Sequence, residues 1–83
     1  MKYRDSFYKH GCTETIADYV IDFGLWYELH DSDRGNNQVM YVGWDELGNQ
    51  LWEIGIELCS ENEDDWAFHA QLASKKSKDM VGL

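Results

Sequence analysis

The hydrophobic pattern of this chain changes its period at Gly24, and this change constrains the fold more than any other feature. Before Gly24, Ile16, Val20 and Phe23 recur at helical spacing behind Thr13, a favourable N-cap residue. After Gly24, apolar and polar residues alternate, as they do in a strand with one buried face. The sequence therefore predicts a helix from about 13 to 23 that is followed directly by a β-strand.

Three more strands are predicted along the chain, each after a cluster of turn-forming residues. Residues 52–59 and 66–72 alternate again, whereas residues 39–44 form an apolar run that is typical of a strand buried on both faces. The predicted strands cover residues 25–30, 39–44, 52–59 and 66–72, and the turns cover 31–37, 45–49 and 60–64. Tyr3, Phe7 and Tyr8 also share helical spacing, and Gly11 could end a short first helix there. The predicted class is α+β, with one or two N-terminal helices packed on one face of a small antiparallel β-meander of about four strands. The 39–44 strand is expected to be central.

A chain of 83 residues supports one core, so residues 1–83 are predicted to form a single domain. Charge divides this domain into two parts. An acidic body at about 11–73 contains fourteen Asp and Glu residues but one base, Arg34, whereas the tail at 74–83 is basic and is expected to be helical or frayed. A body of this sign repels phosphate backbones, so direct DNA binding is not expected, and a basic protein surface is the favoured partner.

Several classes of protein are excluded by what the sequence lacks. No apolar run is long enough for a membrane span and no secretion signal opens the chain, so we expect a cytoplasmic protein whose Cys12 and Cys59 remain reduced. The spacing of His and Cys residues matches no zinc site, and no phosphate loop or dinucleotide fingerprint is present. Neither a metal nor a cofactor is therefore expected.

Part of the sequence resembles small bacterial toxins of the BrnT/RelE-like family. The resemblance rests on His10-Gly11, on the segment 41–57 (YVGWDELGNQLWEIGIE) and on Phe68-His69-Ala70, and it spans about residues 10–76 at the level of spacing. It implies a cytoplasmic ribonuclease toxin that an antitoxin blocks. The chain departs from the family pattern at Gln71, where relatives have Met, and at Ser74, where they have Arg.

Metal-free RNA cleavage requires a base, an acid and a cation near the phosphate. His69, one of Glu53 and Glu57, and Lys75 or Lys76 could supply these three functions. A half-buried histidine that is bonded to a neighbouring group is the simpler interpretation of His69. Glu53 and Glu57 are about 13 Å apart along a strand, which is too far for an acid–base couple acting on one bond.

Carboxylates form two candidate binding surfaces. Glu14, Asp18 and Asp22 recur every fourth residue, which places three like charges in one row along the predicted helix. The second surface is expected on the sheet, as a solvated acidic face made of Glu28, Glu53 and Glu57. Both surfaces favour a protein that inhibits a basic nucleic-acid-handling protein by charge mimicry, as a phage anti-CRISPR-type inhibitor does.

Two alternatives remain open at this point. The chain could be an active ribonuclease toxin with its antitoxin as partner, although the charge balance favours a binding protein over an enzyme. It could instead be a housekeeping or orphan domain whose exposed aromatic residues, such as Trp26 or Trp44, form an interface. A homodimer also remains open as an oligomeric state.

Overall fold

The computed structural model describes residues 1–29, 37–59 and 62–83. Residues 31–36 of the predicted 31–37 turn, with Arg34, the predicted strand end at residue 30 and the turn residues 60–61 lie outside this part. The elements in chain order are β1 (Lys2–Tyr3), a 3₁₀ helix (Asp5–His10), α1 (Glu14–Phe23), β2 (Leu25–Leu29), β3 (Asn37–Trp44), β4 (Leu51–Leu58), β5 (Trp66–Leu72) and α2 (Lys75–Val81). The α+β class predicted from the sequence is confirmed.

The sheet is mixed rather than purely antiparallel, and it has five strands in the order β1-β5-β4-β3-β2. Strands β2 to β5 form the predicted antiparallel meander. The additional strand β1 pairs with β5 in parallel, with Lys2 opposite Trp66 and Tyr3 opposite Ala67. Two residues are too few to show an alternating pattern, and this is why the sequence did not predict the strand. Tyr3 therefore lies in a strand and not in a first helix.

Helix α1 begins and ends where the sequence predicts. The Thr13 hydroxyl accepts a hydrogen bond of 3.2 Å from the backbone N–H of Ile16. The helix ends at Gly24, whose backbone is extended, with φ −82°. A side chain at position 24 would place its β-carbon 2.5 Å from the carbonyl oxygen of Val20 and 2.7 Å from that of Val42. Glycine is therefore required because the α1–β2 junction lies against β3, and not because of left-handed backbone geometry.

The main core lies between the sheet and the layer formed by α1 and the 3₁₀ helix. Its buried members are Phe7, Cys12, Ala17, Val20, Trp52, Ile54, Ile56, Ala67 and Ala70. Each large apolar side chain buried there contributes about 1.5–3 kcal/mol to the free energy of unfolding. The apolar stripe of α1 and the apolar positions of β4 are thus explained by this one interface.

The C-terminal tail, expected to be helical or frayed, forms a helix, and this helix lies on the opposite face of the sheet from the N-terminal helices. Tyr27, Met40 and Val42 form a second core cluster there, against which Ala73 and Val81 pack. Helix α2 has clear boundaries: the Ser74 hydroxyl accepts a hydrogen bond from the Ser77 N–H, and Gly82, at φ +82°, ends the helix. Both faces of the sheet are therefore covered in part.

Strand β4, and not β3, is the central strand, and all six residues from Trp52 to Glu57 are buried. A β-bulge interrupts its pairing with β5, because Gly55 lies opposite His69 whereas Ile56 lies opposite Ala67, which leaves Phe68 as the extra residue. A β-carbon at Gly55 would lie 2.8 Å from the Phe68 ring. The bulge places Ala67 and Ala70 in the same core, which the strict alternation predicted for this strand could not do.

In the described ranges, no helix is both long and apolar enough to cross a membrane. Both cysteines are free thiols. Cys12 belongs to the main core, and burial raises the pKa of its thiol to about 11.

Cys12 is therefore expected to react with a thiol reagent at least about tenfold more slowly than the partly exposed Cys59, since the thiolate is the reactive form. Mass spectrometry of the folded protein after brief alkylation measures the two sites separately. A Cys59→Ser variant isolates the slow site. Equal labelling of both cysteines in the native protein would contradict the burial of Cys12.

Candidate functional site

Three carboxylates form a row along the exposed side of α1. Glu14, Asp18 and Asp22 are all exposed, whereas Ala17 and Val20 on the other side of the helix are fully buried. Successive members of the row are four residues apart, a rise of about 6 Å along the helix axis. We call these three residues the α1 row. The sequence prediction of such a row is confirmed in its geometry.

No lysine or arginine within the described part of the chain forms an ion pair with the α1 row. Its polar partners are neutral: the Tyr8 hydroxyl donates to Glu14 at 2.9 Å and the Tyr3 hydroxyl donates to Asp18 at 3.3 Å. Burial, reinforced by Asp18, raises the pKa of Tyr3 to about 12, so its hydroxyl stays protonated. The tyrosines therefore orient the row and leave its negative charge in place.

Glu53 is buried, which contradicts the prediction that it belongs to a solvated acidic face. Its side chain is about 6% exposed, and its two oxygens have different partners. Oε2 lies 2.8 Å from the Nε2 of His69, and Oε1 accepts a hydrogen bond of 2.7 Å from the backbone N–H of Ser74. Burial alone would raise the pKa of Glu53, but the hydrogen bonds from Ser74, His69 and Ser77 together hold it below its ordinary value.

The Glu53 carboxylate attaches α2 to the sheet. It accepts a hydrogen bond from the backbone N–H of Ser74, the N-cap residue of α2. At this end of a helix the macrodipole favours negative charge. One turn further, the Ser77 hydroxyl is hydrogen-bonded to the Tyr27 hydroxyl at 2.8 Å in a buried position. Sequence reasoning missed these partners, although Ser74 and Gly82 were available as start and stop signals for a helix.

Glu57 is also buried, and this again contradicts the predicted solvated face. Arg4 lies 3.4 Å from its Oε2, and the guanidinium of Arg4 also lies 4.4 Å from the ring centroid of Trp66. Because β4 is the central strand, both of its faces are covered, and carboxylates on it are buried with partners. The basic N-terminus thus compensates the charge on the sheet.

Glu28 is exposed but lies on the other face of the sheet. It pairs with Val39, whereas Glu53 pairs with Val42. Val39 and Val42 are three residues apart on one strand, so their side chains point to opposite faces. The structure therefore does not bring Glu28, Glu53 and Glu57 together, and the α1 row is the predicted acidic surface that remains.

The candidate catalytic residues are connected through the carboxylate of Glu53. His69 is bonded to Glu53, and Lys75 and Lys76 are exposed in the first turn of α2, whose N-cap residue contacts the same carboxylate. A carboxylate that fixes one ring nitrogen of a half-exposed histidine leaves the other nitrogen for proton transfer. The arrangement is thus compatible with base chemistry as well as with a structural attachment.

Among the residues that the structure describes, no group of three or more His, Cys, Asp or Glu side chains could hold a metal ion. Comparison of the chain with protein-family models, curated proteins and solved structures found no match.

Proposed function

We propose that this protein binds a basic surface of another protein through the α1 row and thereby inhibits a nucleic-acid-handling protein. The observation that supports the proposal most is the contrast between two sets of carboxylates. Glu53 and Glu57 are buried beside cationic or hydrogen-bonding partners, whereas the α1 row is exposed without a cation partner among the described residues. The row therefore presents negative charge that no lysine or arginine among the described residues neutralises.

The energetics of α1 support the same proposal. Like charges four residues apart destabilise a helix by a few tenths of a kcal/mol per pair. Asp22 also lies in the last turn, where the helix macrodipole disfavours an anion and where α1 has no basic residue. The row therefore lowers the stability of α1, and we infer that its function is to attract a basic partner.

Affinity capture from bacterial cells tests this proposal. The tagged protein is expected to retain a basic nucleic-acid-binding protein at low salt and to lose it at about 0.5 M salt, where charges are screened beyond roughly 4 Å. A variant with Glu14→Gln, Asp18→Asn and Asp22→Asn should lose the same protein at low salt. Retention that is insensitive to both salt and these substitutions would contradict the proposal.

Asp22→Lys is expected to stabilise the fold while weakening partner binding. The new cation would favour the C-terminal end of the helix dipole and would pair with Asp18, raising the free energy of unfolding by about 0.5 kcal/mol. Urea denaturation measures this change, and Glu63→Lys, at an exposed position outside the helices, is the control with the same change in charge. A destabilised Asp22→Lys protein would show that Asp22 has a structural role.

A second candidate function is metal-independent RNA cleavage, as the resemblance to BrnT/RelE-like toxins implies. It is favoured by the position of His69, whose Nε2 lies 2.8 Å from the buried Glu53 and whose side chain is 30% exposed. In this reaction His69 would accept the proton of the 2′-hydroxyl, and Lys75 or Lys76 would stabilise the charge that develops on the phosphate. The 2′-oxygen would bond to phosphorus as the bond from phosphorus to the 5′-oxygen breaks, and the leaving 5′-oxygen would take a proton from water.

The ribonuclease hypothesis predicts growth arrest on expression and cleavage of RNA by the purified protein in the presence of a chelator. His69→Ala should abolish cleavage, whereas Thr15→Ala, at an exposed position in α1, should leave it unchanged. Intact RNA after incubation with the wild-type protein, together with normal growth, would remove this candidate.

A further inference from the structure

Large apolar side chains are exposed at the end of the molecule where α1 meets β2 and where β3 turns into β4. Phe23, the last residue of α1, is 73% exposed, and Leu47, in the β3–β4 turn, is 82% exposed. Leu25 and Trp44, at the adjoining ends of β2 and β3, are about half exposed. Phe23 and Leu25 come from one segment of the chain and Trp44 and Leu47 from another, so the convergence of the two pairs on one surface is a product of the fold.

The four side chains line one depression of about 500 Å³, to which Tyr19 and Leu83 also contribute. A second depression, of about 660 Å³, shares Trp44 and Leu83 and continues along Leu51 and Leu72. We call the two together the end groove. Gly24, Val42 and Gly43 also line the first depression.

The charges beside the end groove decide which occupant it fits. Asp45 and Glu46 line the first depression, and the exposed Asp22 of the α1 row directly precedes Phe23. Lys78 lines the second depression, so the acidic part of the groove is the first depression. A second copy of this chain would bring carboxylates against carboxylates and would bury them together, which is unfavourable. A segment with bulky apolar side chains flanked by lysine or arginine would fill the groove and pair with its rim.

We propose that the end groove binds an amphipathic basic segment of the partner protein, with apolar side chains seated between Phe23, Trp44 and Leu47 and cations beside Asp22, Asp45 and Glu46. This inference rests on the proposed function, and it adds the location of the apolar part of the interface. Apolar anchors surrounded by complementary charge are the usual source of affinity in such interfaces.

The test uses two synthetic helical peptides of roughly 18 residues, five turns of helix. One carries leucine on one face and lysine on the other, and its control replaces the leucines by serine. We expect the leucine–lysine peptide to bind the full-length protein at least about tenfold more tightly than the serine–lysine peptide. In nuclear magnetic resonance spectra the largest shifts should fall on Phe23, Trp44 and Leu47.

Leu47→Ser and Phe23→Ser should each weaken binding of the leucine–lysine peptide at least about fivefold. Both positions are largely exposed, so the variants retain the fold. Met80→Ser is the matched control, because Met80 is an exposed apolar residue that lines neither depression. Unchanged binding in both groove variants would overturn the inference.

The outcomes separate this inference from the proposed function. If both peptides bind equally and shift only α1 row residues, the groove proposal fails and binding of a basic surface survives. If a leucine–glutamate peptide binds as tightly as the leucine–lysine peptide, the groove is not selective for cations and the inference is overturned. A dimer in sedimentation experiments that Leu47→Ser dissociates would also overturn it, because the occupant would then be a second copy.

Discussion

Glu53→Ala is expected to lower the free energy of unfolding by about 3 kcal/mol, a large share of the stability of a domain of this size. The substitution removes the acceptor of the Ser74 N–H and the partner of His69, and it leaves a cavity under the start of α2. Loss of α2 packing would also expose Tyr27 and Met40. Urea denaturation at neutral pH, followed by tryptophan fluorescence, measures the change.

The pH dependence of the Glu53 variants separates charge from packing. Because the pKa of Glu53 is held below its ordinary value of 4.5, the ionised carboxylate stabilises the fold above that value, and the contribution is lost as the pH falls further. The difference in stability between wild type and Glu53→Gln should therefore shrink as the solution is acidified below pH 4.5. Glu46→Gln, at an exposed turn, is the control. A difference that is constant with pH would contradict the account of Glu53.

Gly24→Ala is expected to lower the free energy of unfolding by about 3 kcal/mol, at the upper end of the range for overpacking. The added β-carbon would lie 2.5 Å and 2.7 Å from two carbonyl oxygens, those of Val20 and Val42, and backbone atoms cannot move aside as a flexible side chain can. The helix end and β3 would have to separate. Thermal and urea denaturation give the change in stability.

Gly48→Ala provides the comparison for Gly24→Ala. Nothing lies within 4 Å of a β-carbon at Gly48, but its φ is +71°, so alanine there costs about 1 kcal/mol through backbone geometry alone. The close approach at Gly24 should therefore cost clearly more than the positive φ at Gly48. Equal effects of the two substitutions would contradict the close packing of the α1–β2 junction.

The elements with strong local patterns could be predicted from the sequence. Helix α1 has an N-cap, an apolar stripe and a stop residue. Strands β2, β4 and β5 have alternating residues between turn signals, and β3 has an apolar run between them. Strand β1 is too short to leave such a pattern, and the bulge at Phe68 depends on the space above Gly55, which is known only after β4 and β5 are paired.

Part of the candidate site could likewise be predicted from the sequence, and part could not. Exposure of the α1 row follows from the apolar stripe on the other side of the helix, so the sequence contains the information. Burial of Glu53 and Glu57 depends on β4 being the central strand and on α2 and Arg4 lying over it. These are contacts between distant segments, and alternation along one strand cannot report them.

The most direct test of the proposed function measures the affinity of the captured basic partner for two double variants with the same net charge. Asp18→Lys with Asp22→Lys reverses two of the three charges of the α1 row, whereas Glu63→Lys with Asp79→Lys reverses exposed carboxylates elsewhere. Calorimetry is expected to show that the affinity for the partner falls about 100-fold or more in the first double variant and less than about threefold in the second. Equal losses for the two pairs would show that the net charge of the protein, and not the α1 row, attracts the partner.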